Sequence, residues 1–212
     1  MKVSGSILSS SIKAIDIVKE FDKTNIDYIH LDIMDGKFTK NKTWTYGEIK
    51  KLTSYTNKKL DVHFMVKDPK KYLDDYAMLN TEYFIFHYET VENIDEMIEL
   101  VKSYGLKVGI SINPKTNVKV LFPYLSKIDQ VLIMSVVPGK SGQSFIDKSL
   151  DKVTKLKEEI IKQDSKCIIS IDGGINEETA PLCVSNGVDM LVSASYLHKD
   201  IQNNLKYLKN LS

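Results

Sequence analysis

The chain has 212 residues, with 29 basic and 28 acidic side chains and a formal net charge of +1. This balance gives no electrostatic basis for a nucleic-acid or anionic-membrane partner. The hydrophobic fraction of 42% can build a sizeable core, and the length predicts one domain over residues 1–212. The chain shows neither an apolar stretch of membrane-spanning length nor the apolar region of a secretion signal. We therefore expect a soluble, cytoplasmic protein.

Short apolar runs alternate along the chain with longer segments of helical pattern. The runs lack strict alternation, which is typical of strands covered on both faces. Eight such strand–helix units predict an α/β fold, a (β/α)8 TIM barrel, rather than a doubly wound sheet. The predicted strands are Val3–Leu8, Tyr28–Ile33, Leu60–Val66, Tyr83–His87, Lys107–Ile112, Gln130–Ser135, Cys167–Ile171 and Met190–Ser193. The predicted helices are Ile12–Lys23, Tyr46–Tyr55, Pro69–Leu79, Ile94–Tyr104, Val118–Leu121, Ile146–Lys162, Glu177–Asn186 and Lys199–Leu208.

Local signals mark several of the predicted helix ends. Asn93 precedes an acidic first turn, and Asn176 repeats that device, so both are expected to cap a helix start. Gly105 and Gly187 stand where a helix end needs a left-handed residue. Pro123 shortens the fifth helix.

Four side chains able to bind a metal stand at or near the ends of predicted strands. His30 and Asp32 are two residues apart on the second strand and therefore face the same way. His63 lies near the end of the third strand and Asp172 follows the seventh, so all four can converge over the barrel axis. Two imidazoles and two carboxylates suit one ion of Zn²⁺, Fe²⁺, Mn²⁺ or Co²⁺, with Zn²⁺ favoured. His87, at the end of the fourth strand, is a competing ligand that spacing does not exclude.

The two carboxylates also indicate a reaction type. A metal can hold a ketone beside its neighbouring hydroxyl and stabilise the enediolate that forms when a proton leaves. Asp32 and Asp172, on nearly opposite sides of the barrel mouth, could approach the two faces of this planar intermediate. One would remove a proton and the other would return one to the opposite face, which inverts the carbon. We therefore predict an epimerase rather than an isomerase with a single base.

Three small-residue turns follow the sixth, seventh and eighth strands. Glycine permits close backbone approach to an anion, and a helix start supplies free N–H groups. Phosphate often binds in this part of a barrel. The predicted phosphate pocket consists of these turns, Pro138–Gln143, Gly173–Gly174 and Ser193–Ser195.

Met34, Met65 and Met134 also stand at strand ends. Methionine commonly fills gaps in a core, which is the first interpretation. The second is an apolar collar that keeps water away from the enediolate. Composition and spacing leave both interpretations open.

These segments resemble the ribulose-phosphate 3-epimerase family nearly from end to end. The second-strand and Asp-Gly-Gly segments together are quite specific. The resemblance is carried, in family order, by Ser6–Ser9, His30–Phe38, Asp61–Val66, Phe86–Glu89, Asn113–Thr116, Met134–Gly139 and Asp172–Ile175.

The resemblance implies interconversion of D-ribulose 5-phosphate and D-xylulose 5-phosphate in the pentose phosphate pathway, by a divalent-metal enzyme that forms homo-oligomers. It places the metal on His30, Asp32, His63 and Asp172 and excludes His87 as a ligand. The acid–base carboxylates would be Asp32 and Asp172. The resemblance implies substrate contacts from Ser6, Gly139, Lys140, Ser141, Gly142, Gly173, Gly174, Ala194 and Ser195. We predict further substrate contacts from His63, Met34, Met65 and Met134.

Some positions depart from the family pattern, and they concern the phosphate turns. Lys140 and Ser141 replace an aromatic residue and a glycine, and Ala194 replaces a glycine. The main alternative is therefore a D-allulose-6-phosphate 3-epimerase, acting on a six-carbon ketose phosphate. A barrel that only binds a sugar phosphate has no need of the Asp32 and Asp172 pair. A related barrel decarboxylase would place a lysine between aspartates.

Overall fold

In a computed structural model, which describes residues 1–9 and 11–212, eight parallel strands form a closed barrel. Each strand pairs with the next in sequence, and β1 closes the barrel against β8. The predicted (β/α)8 TIM barrel is therefore confirmed. The strands are β1 Lys2–Ser6, β2 Tyr28–Met34, β3 Lys59–Met65, β4 Thr81–His87, β5 Lys107–Ile112, β6 Gln130–Met134, β7 Ile168–Asp172 and β8 Met190–Ser193.

Helices follow the strands and cover the outside of the barrel. In the part of the chain that the structure describes, no helix is both long and apolar enough to cross a membrane. The α-helices are α1 Ala14–Asp22, α2 Tyr46–Thr53, α3 Leu73–Ala77, α4 Ile94–Ser103, α5 Lys148–Lys162, α6 Thr179–Ser185, α7 Ser195–Lys199 and α8 Ile201–Lys209. Short 3-10 helices occupy Pro69–Tyr72, Tyr88–Thr90 and Val118–Tyr124.

Three predicted helices differ from the structure. The predicted helix Pro69–Leu79 is a 3-10 helix over Pro69–Tyr72 followed by α3. The predicted last helix, Lys199–Leu208, corresponds to α8, but a short helix that was not predicted, α7, precedes it and ends at Asp200, whose backbone is extended (φ −160°). The Asp200 carboxylate accepts from the N–H of Asn203 at 3.1 Å and so begins a new helix. The fifth unit has only a 3-10 helix, which contains Pro123.

The predicted caps are confirmed in three of four cases. The Asn93 side chain accepts from the N–H of Glu96 at 3.2 Å. Gly105 (φ 74°) and Gly187 (φ 100°) adopt the left-handed conformation after α4 and α6. Asn176 also binds backbone N–H groups, but α6 begins three residues later, at Thr179, so Asn176 orders the preceding turn instead.

The barrel interior holds a polar layer beneath the mouth, while the main apolar core lies between strands and helices. Fully buried Asp61 accepts from Ser4 Oγ at 2.9 Å and from Gln130 Nε2 at 3.4 Å. Gln130 Nε2 also donates to Ser170 Oγ at 2.7 Å. Buried polar groups persist when they are hydrogen-bonded to one another, so this layer forms a fixed floor for the site above it.

Candidate active site

The four predicted metal ligands come together at the carboxyl ends of β2, β3 and β7. One ligand atom from each of His30, Asp32, His63 and Asp172 lies within 4.8 Å of the others. His30 Nε2 and His63 Nδ1 approach Asp32 Oδ1 to 3.3 and 3.2 Å. The parallel register of β2 and β3 sets Asp32 beside His63, which explains this close approach.

The donor atoms of this cluster fit a divalent cation. His30 Nδ1 is bound to Asp61 Oδ2 at 2.7 Å, which turns Nε2 toward the cluster. Within the described residues, that buried Nε2 atom has no hydrogen-bond partner. A buried polar atom without a partner is costly, and a cation would satisfy this one. A metal-binding imidazole usually donates from its other ring nitrogen to a carboxylate, as His30 Nδ1 can do to Asp61.

The two carboxylates differ in proton affinity. Burial raises the pKa of Asp32, but the charge of the neighbouring His30 outweighs burial and holds it well below the usual range. Burial and the neighbouring charge of Asp32 raise the pKa of Asp172. Groups with pKa values pushed apart in this way suit opposite acid and base roles.

The two histidines also differ from one another. Burial lowers the pKa of His30, but the carboxylates of Asp32 and Asp61 overcome burial and raise it well above its usual value. Burial lowers the pKa of His63 to about 4, although the neighbouring carboxylate of Asp32 acts in the opposite direction.

His87 lies behind the cluster. Its Nε2 atom is 2.8 Å from His63 Nε2, on the side of the ring that faces away from Asp32. It does not belong to the group of converging ligand atoms, so the alternative left open by spacing is resolved against it. Its other nitrogen, Nδ1, contacts Glu89 Oε2 at 3.1 Å.

Above the cluster, the barrel mouth opens into a cleft whose lining includes Asp32 and Asp172. His30 and His63 are fully buried and do not line it, so the predicted substrate contact of His63 lies beneath the cleft wall. The other predicted substrate-binding residues do line it: Ser6, Met34, Met65, Met134, Gly139, Lys140, Ser141, Gly142, Gly173, Gly174, Ala194 and Ser195.

The turn after β7 requires glycine at two successive positions. Any residue with a Cβ atom at position 173 (φ 116°) would place that atom 2.4 Å from Val136 Cγ2. At position 174 (φ 65°) the Cβ atom would lie 2.8 Å from the backbone N of Phe145. Ser135 Oγ donates to the carbonyls of Asp172 at 2.8 Å and Gly173 at 2.6 Å. The backbone after Asp172 is therefore fixed in position, and the carboxylate with it.

Two loops meet across the mouth. Asn41, in the loop after β2, donates from Nδ2 to the carbonyl of Gly139 at 2.7 Å. Gln143 Nε2 donates to the carbonyls of Val137 at 2.7 Å and Lys140 at 2.8 Å, which closes the loop after β6 on itself. These contacts give the predicted phosphate turn a defined shape beside the cleft.

Asp61 is a site residue that sequence reasoning missed. It is fully buried and binds His30 Nδ1, so it determines which nitrogen of His30 faces the cluster. The sequence contained a signal for it. Asp61 and His63 have the same two-residue spacing as His30 and Asp32, and residues two apart on a strand face the same side.

Comparisons with known proteins give a consistent result. The model of the ribulose-phosphate 3-epimerase family matches residues 2–198. A Bacillus subtilis ribulose-phosphate 3-epimerase is 35% identical over 200 residues, covering 93% of this chain and 92% of that protein. A protein of the same name from Helicobacter pylori strain J99 is 34% identical over 214 residues, covering 100% and 98%.

Similar solved structures include more distant barrels. A mutant tryptophan synthase alpha-subunit from Pyrococcus furiosus superimposes with a TM-score of 0.69 at 12% identity, covering 99% of this chain and 97% of that one. A thiamine phosphate pyrophosphorylase from the same organism gives 0.62 at 17% identity, covering 99% and 96%. At such low identity these structures show a shared fold alone.

Proposed function

The chain belongs to the ribulose-phosphate 3-epimerase family, and we propose that it interconverts D-ribulose 5-phosphate and D-xylulose 5-phosphate through the carboxylates of Asp32 and Asp172. The observation that carries this proposal is the convergence of these two aspartates with two histidines at the floor of one cleft. A protein that only binds a sugar phosphate has no use for carboxylates on two sides of the ligand.

In the proposed reaction, one carboxylate removes the proton from C3 of the ketose. The electron pair of the broken C–H bond moves into the carbonyl group, and the substrate becomes an enediolate. The other residue, in its protonated form, delivers a proton to the opposite face of C3, which inverts that carbon. In the reverse direction the two aspartates exchange roles. Ser6 Oγ donates to Asp32 Oδ2 at 3.0 Å and holds this carboxylate in place.

His30, Asp32, His63 and Asp172 are the proposed ligands of one divalent ion, for which Zn²⁺ is favoured. When bound, the ion would supply positive charge beside the oxygens on which the enediolate charge develops. The side chains of Met34, Met65 and Met134 are buried at the cleft wall, and we assign them the role of excluding water from the reacting carbon.

The phosphate is proposed to bind between the turns after β6, β7 and β8. Gly173 and Gly174 let the backbone approach an anion closely. The ammonium group of Lys140 and the hydroxyl of Ser141 are proposed donors that compensate for the methyl group of Ala194. All five residues line the same cleft as the aspartates, so one ligand can reach both regions.

A substrate comparison tests this proposal. We expect metal-reconstituted protein to turn over ribulose 5-phosphate with a higher kcat/KM than D-allulose 6-phosphate, because the described relatives are all named for the pentose. The six-carbon alternative is thus not favoured. A higher kcat/KM for the hexose would contradict the pentose assignment. It would leave the two-carboxylate chemistry in place and would indicate that Lys140, Ser141 and Ala194 determine the substrate preference.

We also propose that the protein acts as a homo-oligomer in the cytoplasm, as the resemblance to the family implied. Light scattering after size-exclusion chromatography measures the oligomeric state directly. Charge balance gives no basis for a nucleic-acid partner, and the proposed ligand is a small ketose phosphate.

A further inference from the structure

A chain of three side chains leads from the metal cluster to the rim of the barrel. His63 Nε2 is 2.8 Å from His87 Nε2, and His87 Nδ1 is 3.1 Å from Glu89 Oε2. Both histidines are fully buried, whereas the Glu89 side chain is 22% exposed. The ring of Phe38 covers His87, with ring centroids 4.6 Å apart. The contacts are thus shielded from water along the part that adjoins the cluster.

Glu89 is held in place by more than His87. Its Oε1 atom accepts from the N–H of Asn113 at 2.8 Å and from the hydroxyl of Thr116. Its Oε2 atom is therefore left for His87 alone. An ionised carboxylate can only accept hydrogen bonds, so His87 must carry its proton at Nδ1 and donate it to Glu89.

The position of the proton on His87 determines the position of the proton on His63. A neutral imidazole carries a proton on one nitrogen and a lone pair on the other. His87, protonated at Nδ1, offers a lone pair at Nε2, so the contact between the two histidines requires the proton of His63 at Nε2. The Nδ1 atom of His63 then has a free lone pair directed at Asp32 and the cluster.

The opposite tautomer is also geometrically possible. With its proton at Nδ1, His63 would donate to Asp32 Oδ1 at 3.2 Å, and the same nitrogen could not bind a cation. His63 thus has two arrangements, of which only one is a ligand. Hydrogen bonding at the distant nitrogen of a histidine commonly selects between such tautomers.

We propose that Glu89 and His87 are positioning residues, which hold His63 in the tautomer that leaves Nδ1 ready to bind the metal. This proposal rests on the proposed function, because it takes His63 as a ligand. It gives a role to His87 and Glu89, which neither line the cleft nor belong to the ligand cluster. Removing the charge of Glu89 should weaken metal binding without removing any ligand.

The test uses the Glu89→Gln variant, with Glu82→Gln as the matched control. Glu82 lies at the opposite end of the β4 unit, and its side chain is also 22% exposed. Affinity for Zn²⁺ and Co²⁺ is measured by competition with a chromogenic chelator. We expect Glu89→Gln to bind about 10- to 100-fold more weakly than the unaltered protein, and Glu82→Gln to bind equally well.

The second readout is the ¹⁵N spectrum of the histidines in the metal-free protein at pH 7. We expect His63 protonated at Nε2 in the unaltered protein and in Glu82→Gln, with the proton moved toward Nδ1 in Glu89→Gln. This readout needs no metal, so it still decides the proposal if the unaltered protein binds no divalent ion and the proposed function fails. A purely structural role of Glu89 would not move the proton.

Unchanged metal affinity in Glu89→Gln overturns the proposal, as does an equal loss of metal affinity in Glu89→Gln and Glu82→Gln. A His63 protonated at Nδ1 in the unaltered protein also overturns it. If Glu89→Gln does not fold, Thr116→Val removes only one donor to Glu89. That variant is expected to weaken metal binding by a smaller factor in the same direction, and an unchanged affinity counts against the proposal.

Discussion

The Asp172→Asn variant is expected to lose epimerase activity by about 100- to 10,000-fold, the usual contribution of a positioned acid–base group. Asparagine keeps the size and one oxygen of the side chain, so the cleft should be preserved. It cannot exchange a proton with C3. The remaining carboxylate, Asp32, still faces one side of the substrate. We therefore expect one of the two ketose epimers to go on exchanging its C3 proton with solvent although no inversion occurs.

The control for this prediction is Asp189→Asn. Asp189 lies before β8, at the opposite end of the barrel, where its carboxylate accepts from the N–H of Ile169 at 2.8 Å. This end of a barrel serves stability rather than chemistry. Activity is measured with a coupled assay and proton exchange by ¹H NMR, on proteins with equal metal content. Substantial inversion by Asp172→Asn would remove this aspartate from the proposed mechanism.

Metal affinity is expected to rise steeply with pH, by about ten- to a hundredfold per pH unit near neutrality. The pKa of His30 is raised above its usual value by Asp32 and Asp61, against the effect of burial, and that of Asp172 is raised by burial and by Asp32. Both groups therefore hold protons more tightly in the metal-free protein than they ordinarily would. A cation must displace these protons to bind, and each displaced proton makes the affinity tenfold higher per unit of pH.

Calorimetry in buffers of different ionisation enthalpy counts the released protons. We expect between one and two protons per Zn²⁺ ion at pH 7. The sign follows from the raised pKa values: metal binding competes with protons at low pH and meets less competition as pH rises through those values. A pH-independent affinity, or proton uptake on binding, would show that His30 and Asp172 are not both ligands.

Much of the site was predictable because it depends on the short period of a strand. His30 and Asp32 share a face whatever the rest of the chain does. Asp172 follows a buried run, and parallel strands bring their carboxyl ends to one side of a barrel. The glycines of the turn after β7 could be placed at the barrel mouth for the same reason, since they directly follow the strand.

What the sequence did not reveal depends on contacts between distant segments. Glu89 is connected to His63 through His87, because β3 and β4 are neighbours and the backbone of Asn113 holds Glu89 in place. The contact of Asn41 with Gly139 joins two loops that are 98 positions apart. The short helix α7 was not predicted, and it is separated from α8 by Asp200, whose side chain caps the start of α8.

The most direct test of the two-carboxylate mechanism is the conversion of ribulose 5-phosphate in D2O, followed by ¹H NMR and mass spectrometry over the first turnovers. Because one aspartate removes the C3 proton and the other delivers a proton from solvent, the xylulose 5-phosphate formed should carry deuterium at C3 from the start. Xylulose 5-phosphate that retains the original C3 proton would contradict the account, since it would require the removed proton to return to the same carbon.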